Sequence, residues 1–194
     1  MDDSELERSC FSGRLIIGLF TLVDNPFLQG NKSKLSLYKV DPDYLEYLHR
    51  IDYKVSIKNG RPYVGIITMI NDIPYLLPLT SQTTQKRLEK GKKKRAATIT
   101  TFVRDTTGEE IADILHNNMI PVLEGMYTLL DIDPSEDTYE SNEIRFIRKH
   151  QDSIIVKAQN VYSKRIKNSD SFLRLVCCDF ELLENKFRDY PSSK

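Results

Sequence analysis

Two apolar, β-rich runs separated by a two-residue polar break most restrict what this chain can fold into. Residues 62–70 read PYVGIITMI and residues 73–80 read IPYLLPLT, with Asn71 and Asp72 between them. Two β-prone runs flanking such a short polar break predict a β-hairpin. The residue that follows the second run, Ser81, therefore falls at the end of a strand.

A strand and a helix are predicted before the hairpin. Residues 35–40 read LSLYKV and alternate as a strand does. Asp41 followed by Pro42 is typical of a helix start, with a capping carboxylate before a proline in the first turn. The residues that follow, DYLEYLHRID, place Tyr44, Leu45, Leu48 and Ile51 on one helical face. A helix of about three turns is predicted.

The second half of the chain changes from strands to helices. Residues 96–103 and 127–132 read as strands, whereas residues 111–122 have helical spacing until Pro121 and stay ambiguous. From Tyr139 onward the spacing is helical, with a break near Ser153. A last amphipathic helix is predicted over residues 172–190. The fold class is therefore α+β, with five to six mostly antiparallel strands and helices that are mostly C-terminal.

Length and composition favour one domain. A chain of 194 residues is long enough for one well-buried core and short for two. Residues 1–33 are unlike the rest, with an acidic start, a short apolar run and a polar, turn-rich segment. We expect an N-terminal extension there, either an arm or a segment outside the core, and a single domain over residues 34–194. We also hypothesise that translation starts near Leu35, where the first strand begins.

Cysteine usage and hydropathy predict the cytoplasm and no membrane. Cys10, Cys177 and Cys178 make an odd number, and adjacent cysteines rarely bridge. The apolar run at residues 15–23 has nine residues, against about 20 for a bilayer span. The segment before it is acidic, where a signal peptide would be basic.

Charge is balanced overall but unevenly distributed. Lysine and arginine together number 28, as do aspartate and glutamate. Residues 82–104 contain eight basic side chains and one acidic, whereas residues 105–143 contain eleven acidic and no Lys or Arg. Such blocks can form opposed fields on the surface even when the total is zero.

Motifs for cofactors and metals are missing from the sequence. There is no GxxxxGK[ST] or GxGxxG loop. The acidic stretch at residues 131–137 has Glu136 where a calcium loop needs glycine, and Asn142 where it needs glutamate. The three histidines lie on separate predicted elements. No cofactor and no metal are therefore expected.

The combination of hydroxyls and cations after the hairpin points to RNA. Thr80 and Ser81 end the second strand, and a strongly basic loop follows. RNA can be cut without a metal when its own 2′-OH attacks the adjacent phosphate, provided that the enzyme aligns the attack and stabilises the charge. Thr80, Ser81, Arg61 and a nearby lysine could do so. The alternative from the residues alone is a plain strand end beside a solvated loop.

Five blocks in order resemble the ToxN/AbiQ family, the endoribonuclease toxins of type III toxin–antitoxin systems. They cover about residues 35–190 and read LYKVDPDYLEYLHRIDYKV, RPYVGI, YLLPLTS, NNMIPVLEGMYTLLDID and DFELLENKFRDY. The resemblance implies a compact, barrel-like antiparallel sheet similar to the MazF/Kid toxins. It also implies metal-independent RNA cleavage that leaves a 2′,3′-cyclic phosphate and a 5′-OH.

The same resemblance implies partners. The inhibitor would be a repeated small RNA antitoxin, folded as a pseudoknot, that assembles with the toxin into a hetero-oligomer. The substrate would be cellular or phage mRNA, and the role would be abortive infection against phage.

Site residues carry over one by one. The family's Thr/Ser pair matches Thr80 and Ser81, its basic residue before Val-Gly-Ile matches Arg61, and its helix-start tyrosine matches Tyr44, for which core packing is the alternative. The family usually has Pro-Lys directly after the pair, whereas here the lysine is displaced and Lys86 is the candidate.

The basic loop supplies candidate RNA contacts, which would weaken steeply with salt. They are Lys90, Lys92, Lys93, Lys94 and Arg95. The missing Pro-Lys leaves an alternative function open, a non-catalytic RNA-binding module on a small β-barrel. A DNA-binding regulator is less well supported, because no helix-turn-helix pattern is found.

Overall fold

The structure is a computed structural model that describes residues 34–57 and 62–191. The predicted extension over residues 1–33 and the predicted site residue Arg61 lie outside the described residues. The division of the chain at residue 34 therefore stays a prediction.

An antiparallel sheet forms the centre of the described chain. Its strands are β1 (Leu37–Val40), β2 (Tyr63–Ile70), β3 (Ile73–Thr80), β4 (Thr100–Arg104), β5 (Glu110–Leu115), β6 (Ile120–Pro121) and β7 (Tyr127–Leu129). The strand order is β4-β5-β3-β2-β1-β7, and β6 also pairs with β3. Strand β3 therefore bonds to β2, β5 and β6, and its C-terminal end is paired with β5.

The helices lie mostly after the strands. They are α1 (Pro42–Ile51), α2 (Thr84–Glu89), α3 (Tyr139–Lys149), α4 (Gln151–Ile166), α5 (Ser171–Val176) and α6 (Phe180–Lys186), with 3₁₀ turns at His116–Asn118 and Phe187–Asp189. None of these helices is long and apolar enough to cross a membrane. The predicted fold class, α+β with an antiparallel sheet and mostly C-terminal helices, is confirmed. The sheet has one or two more strands than expected, because the ambiguous residues 111–122 contribute to two strands, β5 and β6.

The predicted hairpin is the best-formed part of the sheet. Asn71 and Asp72 have φ angles of 48° and 61°, as a two-residue turn between twisted strands requires. The two strands pair from Ile70 with Ile73 to Gly65 with Pro78. A Cβ on Gly65 would lie 2.5 Å from the carbonyl oxygen of Leu77, so only glycine fits at this position of the hairpin.

Burial on both faces explains why β3 is so apolar. Leu76 and Leu77 are each 0 % exposed, and neighbouring strand residues point to opposite faces. Helix α1 begins as predicted, because Asp41 accepts hydrogen bonds from the backbone N–H groups of Asp43 and Tyr44. The hairpin and α1 thereby give the core two fixed elements close to the first strand.

One ambiguous segment is resolved by the structure, and two predicted boundaries differ from it. Residues 111–122 form most of β5, a 3₁₀ turn and β6, since pairing with β3 and β4 overrides the helical spacing. Strand β4 begins at Thr100 rather than residue 96. The break between the long helices lies at His150, not Ser153.

The predicted last helix over residues 172–190 is interrupted. Between α5 and α6, the backbone N–H of Cys178 donates to the carbonyl oxygen of Asn117, and that of Asp179 donates to Oδ2 of Asp52 at 2.6 Å. Asp179 then caps α6, since its side chain accepts from the N–H of Leu182. These tertiary hydrogen bonds replace helical ones, so a single helix was the wrong prediction.

Candidate active site

A groove of about 660 Å³ opens at the end of β3, where the sequence placed its hydroxyl pair. It is lined by residues of β1, β2, β3 and α3 and of the segments beside the strands: Leu37, Lys39, Pro62, Val64, Leu79, Thr80, Ser81, Gln82, Leu130, Tyr139, Glu140 and Glu143. Apolar and polar side chains both line it. Such a concave site with a few converging polar groups is typical of a binding pocket.

Thr80 and Ser81 have different environments within this groove. Thr80 is 8 % exposed, and its Oγ1 accepts from the backbone N–H of Gln82 at 3.3 Å. Ser81 is exposed. Thr80 therefore shapes the turn out of the strand, whereas the hydroxyl of Ser81 is accessible to a ligand.

Lys86 lies beside the strand end. It belongs to the short helix α2, and its Nζ donates to the carbonyl oxygen of Ser81 at 3.2 Å. The predicted candidates Ser81 and Lys86 thus come together, although five positions separate them along the chain. Lys86 itself lines a second pocket, which shares Tyr139 with the groove, and its ammonium contacts the groove residue Ser81 at the backbone carbonyl.

The basic loop after Ser81 is folded onto itself. The Arg87 guanidinium donates from Nε and from one terminal nitrogen to the carbonyl oxygen of Lys93, at 3.1 and 2.9 Å. Lys90 Nζ donates to Oε1 of Gln82 at 3.0 Å. Lys94 Nζ lies 5.1 Å from the centre of the Phe102 ring, within the range of a cation–π contact. Several cations predicted to bind RNA therefore also hold the loop in shape.

Lys92 and Lys93 lie at the tip of this loop and are exposed. Arg95 is different, because its guanidinium forms an ion pair with Asp113 and only 15 % of its side chain is exposed. The loop residues predicted to bind RNA therefore split into exposed lysines and one largely buried arginine.

Tyr44 is not part of the groove. It is 0 % exposed, and its hydroxyl donates to the carbonyl oxygen of Pro121 at 2.9 Å. Burial raises the pKa of Tyr44 well above the ordinary value for tyrosine, so the hydroxyl stays protonated. This geometry supports core packing, the alternative left open by the sequence, and gives no support to a direct catalytic role.

Several groove residues were missed by sequence reasoning. Lys39 could have been found, because strand alternation places it on the same face as Leu37, and both line the groove. Glu140 and Glu143 come from a helix about 60 residues beyond Ser81, and no local pattern places them there. Tyr139 also lines the groove, and its hydroxyl donates to the carbonyl oxygen of Ile111 at 2.6 Å. Their position depends on tertiary packing.

The described residues contain no cluster of three or more His, Cys, Asp or Glu side chains that could hold a metal ion. The polar groups that converge at the end of β3 are instead hydroxyls, ammonium groups and the two α3 carboxylates. These groups can bind a phosphate, donate hydrogen bonds and move protons.

Comparison with known proteins decides the family. A model of the ToxN toxin of type III toxin–antitoxin systems matches residues 36–188. This chain belongs to the ToxN toxin family. The resemblance drawn from the five sequence blocks is thereby confirmed.

Curated ToxN-family relatives are endoribonucleases. The chain is 29 % identical over 175 residues to the endoribonuclease ToxN of Bacillus thuringiensis subsp. kurstaki, which covers 82 % of this chain and 86 % of that protein. It is 28 % identical over 159 residues to the endoribonuclease AbiQ of Lactococcus lactis subsp. lactis, covering 78 % and 87 %. The predicted class of function, an endoribonuclease toxin of a type III system, is confirmed.

Solved structures of the ToxN family share the fold. A type III toxin selectively inhibited by a non-coding RNA pseudoknot superposes with a TM-score of 0.68 at 28 % identity, covering 82 % of this chain and 99 % of that one. The lactococcal anti-phage endoribonuclease AbiQ gives the same TM-score at 25 % identity, with the same coverage. The shared fold places the end of β3 within a known toxin scaffold.

Proposed function

We propose that this ToxN-family chain cleaves RNA without a metal ion, by attack of a ribose 2′-OH on the adjacent phosphate. The products are a 2′,3′-cyclic phosphate and a 5′-OH. The observation that carries the proposal is the approach of the Lys86 ammonium to the carbonyl oxygen of Ser81, 3.2 Å, because Ser81 lines the groove. An ammonium and an accessible hydroxyl there can contact the same phosphate.

Each residue has a distinct role in this reaction. Lys86 stabilises the negative charge that develops on the phosphorane, since a preorganised cation acts most strongly where charge appears in the transition state. The Ser81 hydroxyl hydrogen-bonds to a phosphate oxygen and helps to align the attack. Thr80 positions Ser81 through its bond to the N–H of Gln82.

Arg61 and Tyr44 complete the set of proposed site residues. Arg61 directly precedes Pro62, which lines the groove, so we assign it to the phosphate on the basis of chain connectivity and the family pattern. Tyr44 acts at most through the packing of α1, because its hydroxyl is bonded to Pro121.

The inhibitor of this toxin is proposed to be a repeated small RNA that folds as a pseudoknot and assembles with it into a hetero-oligomer. A relative with the same fold is inhibited by a non-coding RNA pseudoknot, and AbiQ is an anti-phage endoribonuclease. The exposed lysines of the basic loop, Lys92 and Lys93, suit a phosphate backbone. The proposed setting is the cytoplasm, where the toxin cuts cellular or phage mRNA during phage defence.

The test is an incubation of the purified protein with a long single-stranded RNA in excess EDTA. We expect discrete fragments with cyclic phosphate ends, and a loss of at least about 100-fold in rate for Ser81→Ala and Lys86→Ala. Ser163→Ala, a change at an exposed serine of α4, is the matched control and should cleave normally.

Two results would contradict the proposal. Fragments that form only after Mg²⁺ is restored would refute metal independence. RNA that is retained by the protein but stays intact with and without Mg²⁺ would point to a chain that binds RNA without cutting it.

A further inference from the structure

An ion pair between Arg95 and Asp113 contacts the backbone next to the candidate active site. One terminal nitrogen of Arg95 donates to the carbonyl oxygen of Gln82 at 2.5 Å and to Oδ2 of Asp113 at 2.6 Å. Gln82 follows Ser81 in the chain, and Asp113 is the strand partner of Thr80 in the pairing of β3 with β5. The arginine therefore joins the far end of the basic loop to the backbone next to Ser81.

Burial separates this arginine from the other cations of the loop. Asp113 is 0 % exposed, and the Arg95 side chain is 15 % exposed. Lys92 and Lys93, only two or three residues earlier, are exposed. A phosphate can reach those lysines from solvent, whereas the Arg95 guanidinium already has two acceptors inside the protein.

Ionisation of Asp113 is unfavourable inside the fold. Burial raises the pKa of Asp113 to about 6, although Arg95 beside it acts in the opposite direction and Glu110 nearby adds to the rise. When the pKa of a carboxyl group is higher in the folded than in the unfolded chain, the free energy of unfolding decreases as the pH rises towards the folded-state pKa, here about 6. Ionised Asp113 therefore costs the fold free energy at neutral pH, as buried ion pairs often do. Its pairing with Thr80, and its link through Arg95 to Gln82, place this costly group next to the candidate active site, where such groups often have a role.

We infer that Arg95 and Asp113 are positioning residues of the RNA-cleaving site, which hold the Gln82 carbonyl and thereby fix Ser81 and the turn that leads to Lys86. The inference rests on the proposed function and adds to it two residues that do not touch the substrate. These residues would affect the alignment of the reacting groups, because small displacements of a reacting group can lower the rate about 100-fold.

The hydrogen bond from Arg95 constrains a backbone segment that contains no proline. Gln82 and Thr83, which follow Ser81, do not fix their own φ angles as a proline does. The hydrogen bond from Arg95 to the Gln82 carbonyl supplies a long-range constraint at this place.

The experiment compares cleavage by the full chain and its variants Arg95→Gln, Asp113→Asn and the double variant, with single-turnover rates and RNA affinities measured from low to high salt. Positioning predicts that each single change lowers the rate constant about tenfold or more. The double variant should be no slower than the slower single one, because both changes break one unit. The slope of log affinity against log salt should stay the same.

A direct RNA contact predicts a different result. Removing one phosphate contact on a single strand should reduce the salt slope by about 0.7 and weaken binding. This outcome for Arg95→Gln, with a normal rate at saturating RNA and no effect of Asp113→Asn, would overturn the inference. The matched control is Arg104→Gln, since Arg104 bonds to the carbonyl oxygen of Gly108 in a separate turn and should leave the rate unchanged.

Misfolding and failure of the proposed function give separate results. Arg95→Lys retains the positive charge beside Asp113 and replaces Arg95→Gln in the experiment if that variant does not fold. A lower cleavage rate with normal RNA affinity again supports positioning. A normal cleavage rate again opposes it. Ser81→Ala is run in parallel. If it cuts RNA normally, the proposed function fails; if it is inactive while both pair variants are fully active, only the positioning role fails.

Discussion

The environment of Tyr44 in the core distinguishes a packing role from a catalytic one. Its place on the apolar face of a helix fitted both packing and catalysis, and only the structure distinguishes them. The hydroxyl is buried and donates to Pro121, on the short strand β6. The residue therefore ties α1 to the sheet by one specific hydrogen bond.

We predict that Tyr44→Phe lowers stability and leaves cleavage intact. Loss of the hydroxyl leaves the buried Pro121 carbonyl without that donor, which costs about 1–3 kcal/mol of unfolding free energy. Urea denaturation measures this cost, and the RNA cleavage rate should change less than about twofold. Tyr53→Phe is the control, because Tyr53 is 79 % exposed. A stable but inactive Tyr44→Phe protein would restore Tyr44 to the catalytic residues.

The sequence predicted the position of the two hydroxyls better than that of the groups around them. Thr80 and Ser81 lie at the end of β3 as expected, because the end of an apolar strand is a local feature. The place of Glu143 in the groove and the pairing of Asp113 with Thr80 were not predicted, since they depend on how α3 and β5 pack against β3. Arg95 was grouped with the loop lysines although its side chain is largely buried, because composition does not show which charge of a loop is buried.

At the scale of elements, the basic loop is both strongly charged and constrained by its own hydrogen bonds. The Arg87 guanidinium donates to the carbonyl oxygen of Lys93, and the Lys90 ammonium donates to the side chain of Gln82. A loop held in this way loses less conformational entropy when RNA binds than a flexible one does. The exposed lysines at its tip are therefore already in place for a phosphate backbone.

We predict that Lys92→Ala combined with Lys93→Ala reduces the salt dependence of RNA binding. Each lost phosphate contact on a single strand should change the slope of log affinity against log salt by about 0.7, so the pair gives about 1.4. Filter binding at several salt concentrations measures the slope with Ser81→Ala protein, which is used to keep the RNA intact. Lys164→Ala with Lys167→Ala, at two exposed lysines near the end of α4, is the matched control. An unchanged slope in the loop variant would show that RNA does not follow this loop.

Elements defined by local patterns were predicted well, and those defined by distant partners were not. The hairpin and α1 have their turn and capping residues in the sequence itself. The interruption before α6 arises from hydrogen bonds with Asp52 and Asn117, more than 60 residues away. Spacing alone cannot show such competition for the backbone.

At the scale of the whole molecule, Tyr190, near the end of the described residues, packs against helix α1. The Tyr190 ring lies 5.1 Å from those of Tyr44 and Tyr47, measured between ring centres. The Tyr47 hydroxyl also donates to the carbonyl oxygen of Lys186 at 2.7 Å. Residues near both ends of the described chain therefore share one packed cluster.

We predict that Tyr190→Ala destabilises the whole fold. Two aromatic contacts worth about 0.5–1.5 kcal/mol each are lost, so the unfolding free energy should fall by about 1–3 kcal/mol in a single cooperative transition. Thermal unfolding followed by circular dichroism measures this change. Tyr53→Ala, at the exposed tyrosine, should change it by less than about 0.5 kcal/mol. Equal effects of the two changes would show that the cluster does not close the fold.

The contact between Tyr190 and α1 can form only after Tyr190 has left the ribosome. Ser81 leaves the ribosome well before Tyr190, and at about 5–20 residues per second the intervening segment takes roughly 5–20 s to make. During that interval β3 lacks β5 and β6 at first, and α1 lacks its final cover throughout. The core around α1 is thus completed only several seconds after Ser81 has been synthesised.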